Sequence, residues 1–253
     1  MSERDATVTA GIGIPLIACA DAIDAAAALC RVRAAARAGD VDAQALYAQL
    51  LGEGRGIALD AAEALHWYAL AANSGHAGAM NMLGRCYELG CGAPVNLELA
   101  ATWYRQAAAS GLDWGMYNLA QLLAAGRGVA RDRARAFALY RRAAALGHAK
   151  SMNLIGRHFE EGWEVEPDLA TAVVWYRRSA FGGDFRGQTS YASILAQHGD
   201  IESAAAWLRR AARTATPAFL ERFASDLSRS AHALLREVAK EMRARLGSAS
   251  VVT

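Results

Sequence analysis

Histidines and cysteines are the residues in this chain with the widest chemical reach, and their spacing argues against using it. The six histidines are His66, His76, His148, His158, His198 and His232. A metal site on one helix wants imidazoles three or four positions apart, so that they share a face. No two of the six are so placed. His76 and His148 hold equivalent positions beside a glycine, where Leu112 and Asp184 stand in other copies of the same pattern, so the position reads as a tolerant surface site rather than a ligand. Cys86 and Cys91 are too far apart for a Cys-x-x-Cys motif and have no second pair, which makes Cys19, Cys30, Cys86 and Cys91 simple thiols. The run Gly52-Glu53-Gly54-Arg55-Gly56 lacks the lysine and hydroxyl residue of a phosphate loop. No serine is followed three residues later by lysine, and no Gly-x-Ser-x-Gly elbow occurs. The chain is therefore expected not to be an enzyme, with no catalytic, cofactor-binding or metal residues.

What the sequence does carry is a period of 36 residues. Trp67-Tyr68, Trp103-Tyr104, Leu139-Tyr140 and Trp175-Tyr176 follow it, as do Gly75, Gly111, Gly147 and Gly183, and Gly54, Gly90, Gly126 and Gly162. A fixed period of this length means one two-helix unit copied several times, each burying its apolar face against the next. With only 4 prolines and a high alanine content the sequence favours helix almost throughout.

Within one copy each residue type has a mechanical role. A first helix is predicted over 79–89, 115–125 and 151–161, closed by Gly90, Gly126 or Gly162, because glycine enters the left-handed region that ends a helix. Asp60, Asn96, Asp132 and Asp168 then cap the second helix, and Asp60 with Glu63 fits a reciprocal capping box. In the second helix Ala64, Trp67, Tyr68 and Ala71 mark one apolar face of a 3.6-residue period. Gly84, Ala120, Gly156 and Ala192 give the first helix a close-packing stripe. The register begins near residue 24, the last copy is shortened at His198-Gly199-Asp200, and after Pro217 the period gives way to two helices that close the stack, with Ser248 to Thr253 fraying. The predicted organisation is an N-terminal extension over 1–23, a single elongated array over 24–214 and a helical cap over 215–253.

These units resemble Sel1-like repeats, relatives of tetratricopeptide repeats. The resemblance rests on Ala79-Met80-Asn81-Met82-Leu83-Gly84, Tyr87, Gly90, Gly92, Ala100, Trp103-Tyr104, Ala107-Ala108 and Gly111, and on their counterparts from Met116 to Gly147 and from Met152 to Gly183. Departures are Leu139 in place of tryptophan, Glu164 where Gly92 and Gly128 sit, and the short last copy. The resemblance implies an all-α, right-handed α/α superhelical solenoid that serves as an adaptor or scaffold, binding a protein or peptide of unnamed identity.

Non-core positions of the first helices form ladders from copy to copy. These are Asn81, Tyr117, Asn153 and Thr189; Arg85, Gln121, Arg157 and Ser193; and Glu88, Ala124, Glu160 and Ala196. Asparagine and arginine can hold a peptide backbone or a carboxylate. The off-register Trp114 and Trp163 offer flat contacts, whereas Trp67, Trp103, Trp175 and Trp207 keep the phase of packing residues. Asn81, Arg85, Glu88, Trp114, Tyr117, Gln121, Asn153, Arg157 and Glu160 are accordingly the candidate partner-binding residues, with Arg85 and Glu88 also able to pair with each other.

The net charge is only +2, but it is uneven: Arg127, Arg131, Arg133, Arg135, Arg141, Arg142 and Lys150 precede Glu160, Glu161, Glu164, Glu166 and Asp168. Such patches can steer a charged partner or pair with each other. Basic positions interrupted by acids, with no reading motif, make nucleic acid an unexpected partner. No segment is long enough to cross a membrane as a helix. Cysteines that ignore the repeat suit a reducing compartment, so a cytoplasmic monomer is expected. Two other readings stay open. The apolar stretch Ala10 to Ala18 before Cys19 would suit an exported or lipid-anchored envelope protein, although acids precede it and glycines and a proline interrupt it. The chain could also be an accessory subunit of an enzyme.

Overall fold

The computed structural model describes residues 22–249, so Ala10 to Ala18, Cys19 and the tail beyond Ala249 lie outside the described residues. Thirteen helices and no strands occur among those described. They are α1 (Ala22–Arg37), α2 (Val41–Glu53), α3 (Ala61–Asn73), α4 (Ala77–Leu89), α5 (Leu97–Ala109), α6 (Asp113–Ala125), α7 (Arg133–Ala145), α8 (Ala149–Glu161), α9 (Leu169–Phe181), α10 (Phe185–Gln197), α11 (Ile201–Ala211), α12 (Pro217–Leu227) and α13 (Ala233–Ala249). The chain divides into two compact units, one ending at Leu139 and the other beginning at Tyr140.

First helices begin two residues earlier than the sequence suggests, and the supposed tolerant surface site is the reason. Asp40, His76, His148 and Asp184 are their N-caps, each accepting a backbone N–H three residues on. His76 Nδ1 accepts from Ala79 N at 2.9 Å, which places the ring proton on Nε2. His148 and Asp184 are buried, so neither is a surface residue. Leu112 caps α6 without a side-chain bond. At the other end Gly54, Gly90, Gly126 and Gly162 close their helices at φ 65, 76, 70 and 70.

Second helices are capped as the sequence predicts, by Asp60, Asn96, Asp132 and Asp168. The reciprocal capping box at Asp60 is not formed. Its own N–H donates to the Leu51 carbonyl at 3.0 Å, and the Glu63 carboxylate accepts instead from Trp67 Nε1 at 3.2 Å. The same backbone closure recurs as Asn96 N to Tyr87 O, Asp132 N to Leu123 O and Asp168 N to Phe159 O, tying each second helix to the first across the turn.

In the first unit the core runs through Tyr47, Leu51, Tyr68, Met80 and Leu83 between alanines, with Trp67 and Trp103 packed at its margin. The tyrosines are the deeply buried rings and the tryptophans are half-buried, a correction to their expected equivalence. Close approach depends on missing side chains. A Cβ at Gly84 would lie 2.7 Å from the Tyr104 ring, and in the second unit one at Gly156 would lie 2.6 Å from Tyr176. In the second unit α10 to α13 share a core of Leu208, Leu220, Leu235, Val238 and Met242, so the last two helices cover the shortened copy. On α12 it is Leu220 and Ala224 that are buried, while Phe219 stacks on Phe223 at 5.5 Å and meets Phe185 edge-on at 4.9 Å.

Candidate partner-binding surfaces

In the first unit, α4 and α6 carry Asn81, Arg85, Glu88, Trp114, Tyr117 and Gln121. Asn81 is 1% exposed, and its Oδ1 accepts from Asn118 Nδ2 of the next first helix at 2.8 Å. It therefore joins copies rather than facing an open groove. Glu88 does not pair with Arg85. Its Oε2 accepts from the Tyr104 hydroxyl at 2.8 Å and its Oε1 from Arg127 Nη1 at 3.2 Å, so the carboxylate is anchored from two sides while Arg85 stays half-buried beside it. Burial drives the Tyr104 phenol well above the usual tyrosine range, and the Glu88 charge and hydrogen bond add to the shift. Trp114 and Tyr117 are half-buried rings meeting edge-on at 6.0 Å, and Gln121 is half-buried one turn beyond Tyr117.

The second unit repeats much of this on α8. Asn153 is buried and its Oδ1 accepts from Ser190 Oγ at 3.2 Å. Glu160 accepts from the Tyr176 hydroxyl, whose ionisation burial and this carboxylate again push far up. Arg157 is exposed and lies 5.0 Å over the Trp163 ring, which is 37% exposed. Glu164 takes the place of a turn glycine at φ 57. Its carboxylate stands 2.9 Å from His158 Nδ1, which also lies 3.0 Å from the Trp163 carbonyl, so one imidazole N–H fixes both the turn and the aromatic. Thr189 is buried and donates to the Arg186 carbonyl.

Burial thus removes Asn81, Asn153 and Thr189 from direct contact with a partner and leaves the arginine, glutamate and aromatic positions. The expected ladders missed the pairing of Asn81 with Asn118 and of Asn153 with Ser190. The visible signal was a doubled period, in which Asn81, Arg85 and Glu88 recur as Asn153, Arg157 and Glu160 while the intervening copy carries Tyr117, Gln121 and Ala124. Chemically, each unit offers a guanidinium one turn from a carboxylate fixed by a tyrosine, and in the second unit that guanidinium lies over the Trp163 ring, an arrangement that can hold peptide groups. Among the described residues no group of three or more histidine, cysteine, aspartate or glutamate side chains is placed to hold a metal ion, and no helix is long and apolar enough to cross a membrane.

Helix pairs joined by glycine-closed turns and repeated in register define an α/α helical-repeat protein. The Sel1 repeat matches at residues 41–76, 77–112, 115–148, 149–184 and 195–213, and the chain belongs to that family. Solved structures agree on the fold. A Sel1 repeat protein from Oxalobacter formigenes is 24% identical, with a TM-score of 0.71 over 87% of this chain and 99% of that one. The protein c5321, a protective antigen of uropathogenic Escherichia coli, is 24% identical at a TM-score of 0.55, and this chain, 87% of it aligned, spans 56% of that one. The immunity protein Pa5087 from Pseudomonas aeruginosa is 14% identical at a TM-score of 0.56, with 81% of this chain and 80% of that one aligned. No curated protein matches the chain. Sel1 repeat proteins generally mediate protein–protein interactions.

Proposed function

We propose that this chain is an interaction adaptor that takes a protein or peptide partner on its first helices, through Arg85, Trp114, Tyr117 and Gln121 in one unit and through Arg157 in the other. The observation that carries this reading is the state of the two glutamates. Glu88 and Glu160 are each fixed by a core tyrosine of the following second helix, so the arginine one turn earlier keeps its donors for another acceptor. A guanidinium held beside a rigid carboxylate suits a peptide that presents both a carbonyl or carboxylate and an N–H. Asn81 and Asn153 contribute by setting the copy-to-copy spacing.

The test is affinity capture from native host lysate with the wild-type chain and with the Arg85→Ala/Arg157→Ala variant, read by mass spectrometry. Both side chains lie outside the buried core, so the variant should melt like wild type. The reading expects a partner retained by wild type and lost by the variant. Equal capture by a variant with wild-type melting would remove the assignment.

A further inference from the structure

On α9 the core takes Ala172, Tyr176, Ser179 and Ala180, and the opposite stripe is open. Val174 is 48% and Phe181 61% exposed, and with Arg177 and Arg178 they line a cleft of about 480 Å³ along the helix. The repeat does not call for this. Other copies carry Asn73, Ala109 and Ala145 where Phe181 stands, so a large aromatic has been placed where the fold needs only a small or polar residue. A single exposed apolar residue would be ordinary, but Val174 and Phe181 face one cleft framed by arginines, and an apolar patch rimmed by polar groups marks a contact surface.

The cations around the cleft lie over aromatic rings and are uncompensated. Arg177 lies 5.7 Å over the Phe181 ring, Arg178 lies 5.1 Å over Trp175, and Arg210 on α11 lies 5.3 Å over Trp207, whose ring meets Phe181 edge-on at 5.1 Å. Among the described residues no carboxylate pairs with any of the three; the ion pair of α11 is that of Arg209 with Glu241. A guanidinium over an aromatic ring can keep N–H donors for a carboxylate.

From this we infer a second interaction surface, on α9 and the adjoining turn of α11, for an acidic peptide segment whose aromatic or branched aliphatic residue enters the cleft while flanking carboxylates meet Arg177, Arg178 and Arg210. Nucleic acid fits less well. A guanidinium covers one face of Trp175, Phe181 and Trp207, and Phe181 and Trp207 meet edge-on, which leaves less ring surface for a base to stack on. A cleft lined along one helix also suits an extended chain better than an enclosed small molecule. The surface is separate from the first-helix residues proposed above.

Panning a random dodecapeptide phage library on the intact chain tests this, followed by fluorescence anisotropy of the most enriched peptide. The expected sequences flank an apolar anchor with aspartate or glutamate. Their affinity should fall about tenfold or more in Arg177→Glu/Arg178→Glu and in Phe181→Ser, weaken with added salt, and persist in Arg85→Ala/Arg157→Ala. The substituted side chains are exposed, and unchanged circular dichroism melting verifies that the variants fold. No enrichment of acidic sequences, equal binding to the charge-reversed variant, or loss only in the Arg85/Arg157 variant would overturn the inference. So would single-stranded polyuridylate binding that the charge reversal abolishes while selected peptides remain bound.

Discussion

Replacing Gly92 with alanine probes the packing between copies at a point where backbone meets backbone. Gly92 has φ 77, and a Cβ there would fall 2.1 Å from the Ala61 carbonyl oxygen, 2.7 Å from its carbon and 3.1 Å from Leu65 Cβ. Gly56 holds the same place one copy earlier at φ 71, with nothing within 4 Å of the added atom. The two substitutions therefore share a conformational cost and differ in the steric one. Left-handed backbone costs a residue with a Cβ about 1–2 kcal/mol, offset in part by about 0.4–1 kcal/mol from a stiffer unfolded chain. That puts Gly56→Ala near 1 kcal/mol. At Gly92 the obstacle is the backbone of the first turn of α3, which cannot rotate aside, and overpacking adds about 1–3 kcal/mol, for a total of about 2–4 kcal/mol. Urea unfolding followed by far-ultraviolet circular dichroism reads both, since both residues lie in the unit ending at Leu139 and report on the same transition. If Gly92→Ala costs within about 0.5 kcal/mol of Gly56→Ala, then the turn is not the close contact between copies and the reasoning fails.

Asp184 is buried with one carboxylate oxygen lacking a hydrogen-bond partner, and burial raises its pKa. A carboxylate with a folded pKa above its unfolded one contributes its stability below the unfolded value and loses it as pH rises through the folded value. Asp184→Asn keeps a cap acceptor for the Gly187 N–H and should raise the melting temperature at pH 7, with the gain shrinking toward zero as pH falls below about 4; a gain that grows on acidification would contradict this. Burial pushes the Cys86 thiol from 9.0 up to about 12, so at pH 8 its thiolate fraction is about a thousandfold below that of an ordinary thiol. Among the described cysteines, disulfide exchange with a chromogenic reagent, resolved by peptide mapping, should consume exposed Cys30 and Cys91 first, with Cys86 reacting only on unfolding; Cys86 reacting as fast as Cys30 and Cys91 in the native protein would refute the assignment. Tyr104→Phe removes the hydroxyl that fixes Glu88 and should cost about 1–3 kcal/mol, measured by urea unfolding, as a charged hydrogen bond is lost from a buried group. A neutral effect would mean that Arg127 alone holds the carboxylate.

The parts of the fold that were legible in the sequence are those set by local backbone chemistry. Gly90 ends a helix because of its own φ, and Asp60 caps one through a bond three residues away, so a single copy read against its neighbours reveals both. The first-helix caps were less legible because the position mixes Asp40, His76, Leu112, His148 and Asp184, and imidazole is an uncommon cap. At the candidate surfaces the residue types were visible but their burial was not. Asn81 and Asn153 have a polar residue's ordinary look, and their partners Asn118 and Ser190 lie more than one full period away, so no local pattern points to them. Tryptophan and tyrosine adjoin in sequence and share a period, yet only the tyrosine ring meets the glycine of the preceding helix, as at Gly84 and Gly156.

The central claim is that a partner sits on the first helices. Hydrogen–deuterium exchange of the chain alone and with its captured partner, resolved to individual helices by mass spectrometry, tests that most directly. The account predicts new protection at the ends and exposed faces of α4, α6 and α8, with α3 and α5 unchanged. Protection confined to second helices or to α12 and α13 would contradict it.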